Sequence, residues 1–394
     1  MPRDLPDFLE SYLEYSQNTE SPLSYHTWAG ISVVSAALER RVYMRWGHSE
    51  IFPNQYIVLV GPSGVRKGEP LIIAKGFLEE AGIKLIAEAI TKEALILRMK
   101  GAFTNYDDGG KIKFQCPVTC IAEEMSVFLG EGNTQFLADL TAWYDSRQKW
   151  TYETKWSGTD EVVGVCVNIL GSTAPDWIPL TIPQGAIGGG FTSRIIFVVE
   201  HRKARNISNP NLTTIDSDLR QALTHDLEQI SALTGEAVFS QEALAIYEEW
   251  YLREEKRTAS GRPVISDPRF GGYVSRRATH VKKVGMAVSA ARSDSLVVEA
   301  PDIKRAIGLL EQVETNMPDV FGKVGRSMYA EQTHEILEYI QKRGETTRSE
   351  VMQMFYRDVD GRTIEIIEAT MTATRLVQVK LNKEDGSIRY KWLG

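Results

Sequence analysis

Apolar and polar positions follow two rhythms along this chain. Phe8, Tyr12 and Leu13 fall at helical spacing and Trp28–Leu38 continues as a second, more apolar helix, so residues 1–50 read as an N-terminal helical segment. Over residues 51–205 short apolar runs alternate with helical stretches. These runs, Tyr56–Val60, Val118–Ala122, Val165–Leu170 and Arg194–Val199, predict an α/β layered sheet. The polar, asparagine-rich stretch His201–Leu212 marks a boundary. Residues 206–325 return to the helical period, broken by the loop Thr258–Gly272, and predict a helical lid. Over 330–394, three helical segments (Glu331–Arg343, Thr347–Tyr356, Gly361–Thr374) precede two strands, Leu376–Leu381 and Ser387–Trp392. That order predicts a winged-helix domain.

Composition adds limits rather than a class. With 394 residues, 43% hydrophobic and 25% charged, the chain has the make-up of an ordinary globular protein of two or three domains. No apolar run is long enough to span a bilayer and the start, MPRDLPDFLE, is unlike a signal peptide, so a cytoplasmic location without membrane contact is expected. Cys116, Cys120 and Cys166 cannot all pair and read as buried thiols. A net charge of −7 gives no overall attraction to nucleic acid, so any DNA contact needs a local basic surface or a pore.

The richest chemistry lies at Tyr56–Pro70, YIVLVGPSGVRKGEP: a buried-strand run, a glycine-containing loop, then Leu71–Glu80 as a helix. Strand, loop and helix in this order are the context of the phosphate-binding pattern G-x-x-x-x-G-K-[ST]. There backbone N–H groups cradle phosphates, lysine reaches the outer ones, and a hydroxyl binds Mg²⁺. Gly61, Pro62, Ser63, Gly64, Val65 and Lys67 keep the spacing; Arg66 replaces the second glycine, and Gly68, followed by Glu69, replaces the hydroxyl residue. The competing reading is an ordinary strand-to-helix turn.

Further candidates follow downstream. Val118–Ala122 ends in Glu123 and Glu124, matching the second nucleotide-binding motif of RecA and AAA+ type ATPases, with Glu123 on the metal and Glu124 positioning water. Otherwise the two acids merely start the helix Glu124–Leu129. Thr173 or Ser172, with Asn168 outside, fits the polar residue that contacts the γ-phosphate or water, or else serves a turn. Arg194, between Gly188-Gly189-Gly190 and a strand, suits an arginine finger acting in trans, or a salt-bridged surface arginine. Arg276 or Arg277 suits a lid arginine that senses phosphate, or a solvated basic helix start. Lys149–Val163 reads as a hairpin whose Lys149, Lys155 and Trp156 would grip a nucleic-acid strand, or as an edge hairpin packed on the core. The tail 331–394 has ten Lys/Arg against eleven Asp/Glu, which weakens a DNA role, although Arg362, Arg375, Lys380 and Lys383 could form a local basic surface.

Taken in order, FLESYLEYSQNTESPLSYHTWAGISVVSAAL, FPNQYIVLVGPSGVRKGEP, VTCIAEEMSVFL, LTAWYDSRQKW, NILGSTAPDWI and GGGFTSRIIFVVEHR resemble a family of phage, prophage and mobile-element replication ATPases, helicase-like or primase-associated, over residues 7–310. The resemblance implies an AAA+/RecA-like P-loop core using ATP and Mg²⁺, in a bacterial host. It also implies a homo-oligomer, a hexameric ring, that translocates on or unwinds DNA. The alternative is an ATP-binding replication initiator or helicase loader with weak hydrolysis, which the Arg66–Glu69 departure favours. A partner in replication would meet the winged helix. A monomeric P-loop phosphotransferase ranks third, because a finger and a pore hairpin have no purpose outside a ring.

Overall fold

The four apolar runs and one two-residue strand join edge to edge in one parallel sheet, here β1 (Tyr56–Val60), β2 (Leu85–Ile86), β3 (Lys111–Ala122), β4 (Val165–Thr173) and β5 (Ile195–Val199). The computed structural model describes all residues except Met1, 155–157, 184–185, 210–215, 322–329, 375 and 383–385. Strand order is β5-β1-β4-β3-β2, with Thr104–Asp108 added antiparallel to the first half of β3. Every residue of β1, β4 and β5 is buried, as expected for parallel strands covered on both faces. The chain is thus mixed α/β around a parallel sheet.

Register aligns the carboxyl ends. Val60 of β1 sits opposite Thr173 of β4 and Val199 of β5, and Ala122 of β3 opposite Gly171 of β4. The segments leaving β1, β3, β4 and β5 therefore emerge along one edge, where ligands of parallel α/β sheets collect.

Helix Leu23–Leu38 forms the middle of the first unit, Met1–Phe321. It is buried from Trp28 to Leu38 and packs against the sheet and helices Gly68–Glu80, Ser217–Ala232 and Gly271–Arg292. Among the described residues, the stretch 206–321 holds four α-helices, Ser217–Ala232, Gln241–Ala259, Gly271–Arg292 and Ala300–Asn316, and the last packs against β5. Side-chain caps fix several starts: Asp216 accepts from the N–H of Asp218 and Leu219, and Ser240 from that of Ala243. The three thiols are free and buried, and burial pushes that of Cys166 up to about 12.

Two local expectations are corrected. The basic run Ser275–Lys283, read as the start of a helix, lies well inside one that begins at Gly271. Asp267 caps the preceding turn at Arg269, and Arg277, Lys282 and Lys283 are buried rather than solvated. β3 begins at Lys111, not Val118, because Gly109 and Gly110, at φ 61° and 87°, turn the chain back onto Thr104–Asp108.

The second unit, Gly322–Gly394, has helices Ala330–Arg343, Arg348–Met354 and Gly361–Thr374 and a three-stranded antiparallel sheet with Ile388–Trp392 between Glu345–Thr347 and Val377–Leu381. Its core is separate, built on Ile336, Ile340, Val351, Ile364, Ile367 and Tyr390. Among the described residues, no helix is long and apolar enough to cross a membrane.

Candidate functional site

Beyond Val60, β1 runs into a loop whose first residue has to be glycine. A Cβ on Gly61 would lie 2.6 Å from the Glu200 carbonyl oxygen and 2.6 Å from the Tyr25 hydroxyl. That hydroxyl donates to the Val60 carbonyl at 2.7 Å, fixing the strand end. Pro62, Ser63 and Gly64 are exposed and Val65 is buried beneath them. Gly64 has φ 87° and Arg66 φ 67°. Arg66 thus stands in the left-handed conformation that explains glycine at this place in the phosphate-loop pattern, at a cost of about 1 kcal/mol for a residue with a Cβ.

Glu20 holds Arg66 there. Its carboxylate accepts from Arg66 Nε at 2.7 Å, Lys203 Nζ at 2.7 Å and the Ile207 N–H at 2.9 Å. Lys203, Ile207 and Arg66 together keep the Glu20 carboxyl down at about 2. Lys67, half-buried at the head of helix Gly68–Glu80, donates to the carbonyls of Gly61 at 2.6 Å and Pro62 at 3.1 Å. Burial lowers its pKa, and the nearby Glu124 carboxylate opposes the shift.

Acids and hydroxyls meet at the ends of β3 and β4. Thr173 Oγ1 donates to Glu124 Oε1 at 2.9 Å, and Ser172 Oγ to the Glu123 carbonyl at 2.6 Å. Glu123 is exposed, and its N–H donates to Glu88 Oε2 at 3.3 Å. Glu88 follows the two-residue strand β2, so the edge carries three carboxylates. Asn168, by contrast, is buried earlier in β4, bonded to the Gln55 N–H and to Ser32.

This edge has what a triphosphate and Mg²⁺ require, with one gap. One intervening strand, β4, separates the Lys67 loop from the acids by about 10 Å, room for a terminal phosphate and a water. Glu69 has a buried carboxylate oxygen without a hydrogen-bond partner. A Cβ on Gly68 would meet nothing within 4 Å, so there is space for the hydroxyl that the sequence lacks. A metal would be held by Glu123 and Glu88.

The arginine candidates lie elsewhere. Arg194 precedes β5 and so stands at the amino edge, a strand length from the loop. It is buried, donating to Asp145 Oδ2 at 2.7 Å and the Gly190 carbonyl at 2.7 Å. Arg276 approaches the same Asp145 at 3.7 Å. Arg277 is buried against Glu314 at 2.6 Å and Glu254 at 2.6 Å, and none of its hydrogen bonds involves the loop.

The hairpin pairs Lys149–Thr154 with Gly158–Val163, and Lys149 is ion-paired to Glu161. Trp150 stacks on Tyr152 and meets buried Trp143 edge-on at 5.2 Å. Those two rings pack inward; Lys155 and Trp156 lie outside the described residues. Arg362 is exposed at the start of helix Gly361–Thr374, while Lys383 and Arg375 lie outside the described residues and Lys380 is exposed.

Glu20, Tyr25, Glu88 and Asp145 join these sites although no motif in the sequence assigns them a role; the first two come from the N-terminal segment, which carries no loop-like pattern. No known protein-family model matches the chain, and no curated protein matches it significantly.

Proposed function

We propose that the carboxyl edge of the sheet binds and hydrolyses ATP, as the core of a P-loop ATPase of AAA+/RecA type. The observation that carries this reading is the convergence of Lys67, Glu124 and Thr173 from three neighbouring strand ends beside a left-handed glycine loop. Lys67 would exchange its carbonyl partners for the outer phosphates. Glu124, aimed by Thr173, orients a water for in-line attack and takes up its proton. Mg²⁺, when bound, neutralises charge on the phosphates. Arg194 cannot reach its own chain's loop, since the length of β1, about 15 Å, intervenes. Any finger role is in trans, across a ring interface, and requires release from Asp145.

In keeping with the family resemblance, the motor reading is a hexameric ring helicase or translocase on DNA. Its DNA contacts are Lys149, Lys155 and Trp156 of the hairpin and Arg362 and Lys383 of a C-terminal winged helix. The order helix, strand, helix, helix, strand, strand in the second unit, with its three strands in one antiparallel sheet, supports that last assignment. The second reading, a replication initiator or helicase loader that binds ATP as a switch, is favoured by Gly68, which offers the metal no hydroxyl.

Steady-state ATPase with and without single-stranded DNA, with particle mass measured in the same nucleotide, separates the two. DNA-stimulated turnover in a ring-sized particle supports the motor. Nucleotide-dependent assembly without turnover supports the switch, and neither binding nor turnover rejects both.

A further inference from the structure

A cleft of about 810 Å³ opens at the opposite, amino edge of the sheet. Its walls come from the end of helix Leu23–Leu38, the hairpin Val42–Ile51, the turn after helix Thr134–Tyr144, and the middle of helix Gly271–Arg292. Phe52 in its lining precedes β1, and Arg40 donates to the carbonyl of Val165, the first residue of β4. The cleft therefore lies at least the length of β1, about 15 Å, from the Lys67 loop.

Six cations line it, Arg40, Arg45, Arg147, Arg276, Lys282 and Lys283, against two carboxylates, Glu50 and Asp145. Both carboxylates already have cations: Asp145 has Arg194 and Arg276, and Glu50 has Lys113 at 3.9 Å.

Three of the six cations are buried and hydrogen-bond neutral acceptors. Lys283 donates to the Asn54 carbonyl at 2.9 Å and its side-chain oxygen at 2.7 Å; Lys282 donates to the Tyr247 hydroxyl at 2.6 Å and the Ala278 carbonyl at 3.0 Å. Arg40 donates to Gln148 Oε1 at 3.0 Å and to the Ser146 carbonyl. Each also faces a ring, Tyr144 at 4.2 Å, Trp46 at 4.3 Å and Phe52 at 3.9 Å respectively. A cation–π contact contributes about 0.5–2 kcal/mol, less than the several kcal/mol that burying an uncompensated charge costs. Burial accordingly lowers the pKa of Lys282 to about 8 and that of Lys283 to about 7, and a bound anion would favour their charged forms. Exposed Arg45 and Arg147 at the rim add planar forks suited to phosphate oxygens, and the volume is that of a ligand site.

We propose that this cleft is a second binding site, for a ligand carrying a run of phosphates. The run belongs either to a single nucleic-acid strand or to a free polyphosphate nucleotide. This inference does not rest on the nucleotide reading of the opposite edge.

The test uses the full chain carrying Lys67→Ala, which silences the loop, titrated by calorimetry with tripolyphosphate and with short oligo-dT at fixed ionic strength. At least one is expected to bind, and Arg147→Glu or Arg45→Gln, both at exposed side chains and each checked by a melting curve, to weaken it about tenfold or more. Oligo-dT that displaces tripolyphosphate identifies a nucleic-acid strand; tripolyphosphate binding without oligo-dT binding identifies a free nucleotide. The proposal is overturned if neither ligand binds the Lys67→Ala chain, or if binding ignores both rim substitutions.

Discussion

Thr173 Oγ1 and the Glu124 carboxylate are 2.9 Å apart, a hydrogen bond joining the end of β4 to the residue just beyond β3. Ser126 Oγ donates to the same Oε1 at 3.2 Å, so both hydroxyls fall on one oxygen; in the proposed reaction the other oxygen is the one that meets water.

Thr173→Val removes the donor and keeps the shape. Nucleotide affinity is expected to stay within about twofold, while turnover falls by roughly ten- to a hundredfold, the range for misplacing a general base. Equal losses in affinity and turnover would instead give Thr173 a role in binding.

Arg66 and Glu20 form the second testable pair. Arg66→Gly relieves the positive φ but loses the ion pair, so Tm is expected to move little. Glu20→Ala strands Arg66, Lys203 and the Ile207 N–H together and lowers both Tm and nucleotide affinity, the latter by about tenfold. Thermal melts and equilibrium nucleotide binding on both variants check the contrast; a larger effect from Arg66→Gly would contradict it.

Gly68→Thr places a hydroxyl where a Cβ meets nothing within 4 Å. Nucleotide binding is expected to tighten about tenfold in Mg²⁺, and by much less in EDTA. An equal gain in both buffers would point to improved helix formation, since glycine at this position is a poor helix former.

Acid should destabilise the first unit through two buried histidines. Burial pushes His26 down to about 4 and His280 to about 3. The unfolded chain then binds more protons below pH 6.5, so this stability is fully present above pH 6.5 and is lost as pH falls toward 4 and 3. At pH 5 the loss is about 2 kcal/mol for each histidine. Denaturant unfolding of the wild-type chain against His280→Gln at pH 7 and pH 5 measures it, and a pH dependence unchanged by the substitution would show that other groups carry the effect.

Much of the sheet was legible because buried parallel strands write themselves as unbroken apolar runs. Tyr56–Val60 and Val165–Leu170 fall where the pattern puts them, with β4 running on to Thr173. β2 was not legible, since two residues carry no period, and Glu88 was missed with it. Glu20 and Tyr25 touch the loop through tertiary contact from another segment, which no local pattern records. Lys282 and Lys283 misled because burial of a cation depends on the rings and carbonyls around it, here Trp46, Tyr144 and Asn54. A run of cations in sequence reads the same whether solvated or buried.

The decisive measurement is equilibrium binding of ATP with Mg²⁺ to the wild-type chain and to Lys67→Ala, with melting curves for both. If the carboxyl edge is a nucleotide site, the wild type binds, and Lys67→Ala weakens binding by about a hundredfold or more, as loss of a charged phosphate contact does, with Tm nearly unchanged. Wild-type binding that Lys67→Ala leaves intact, or no binding by a folded wild type, would contradict it.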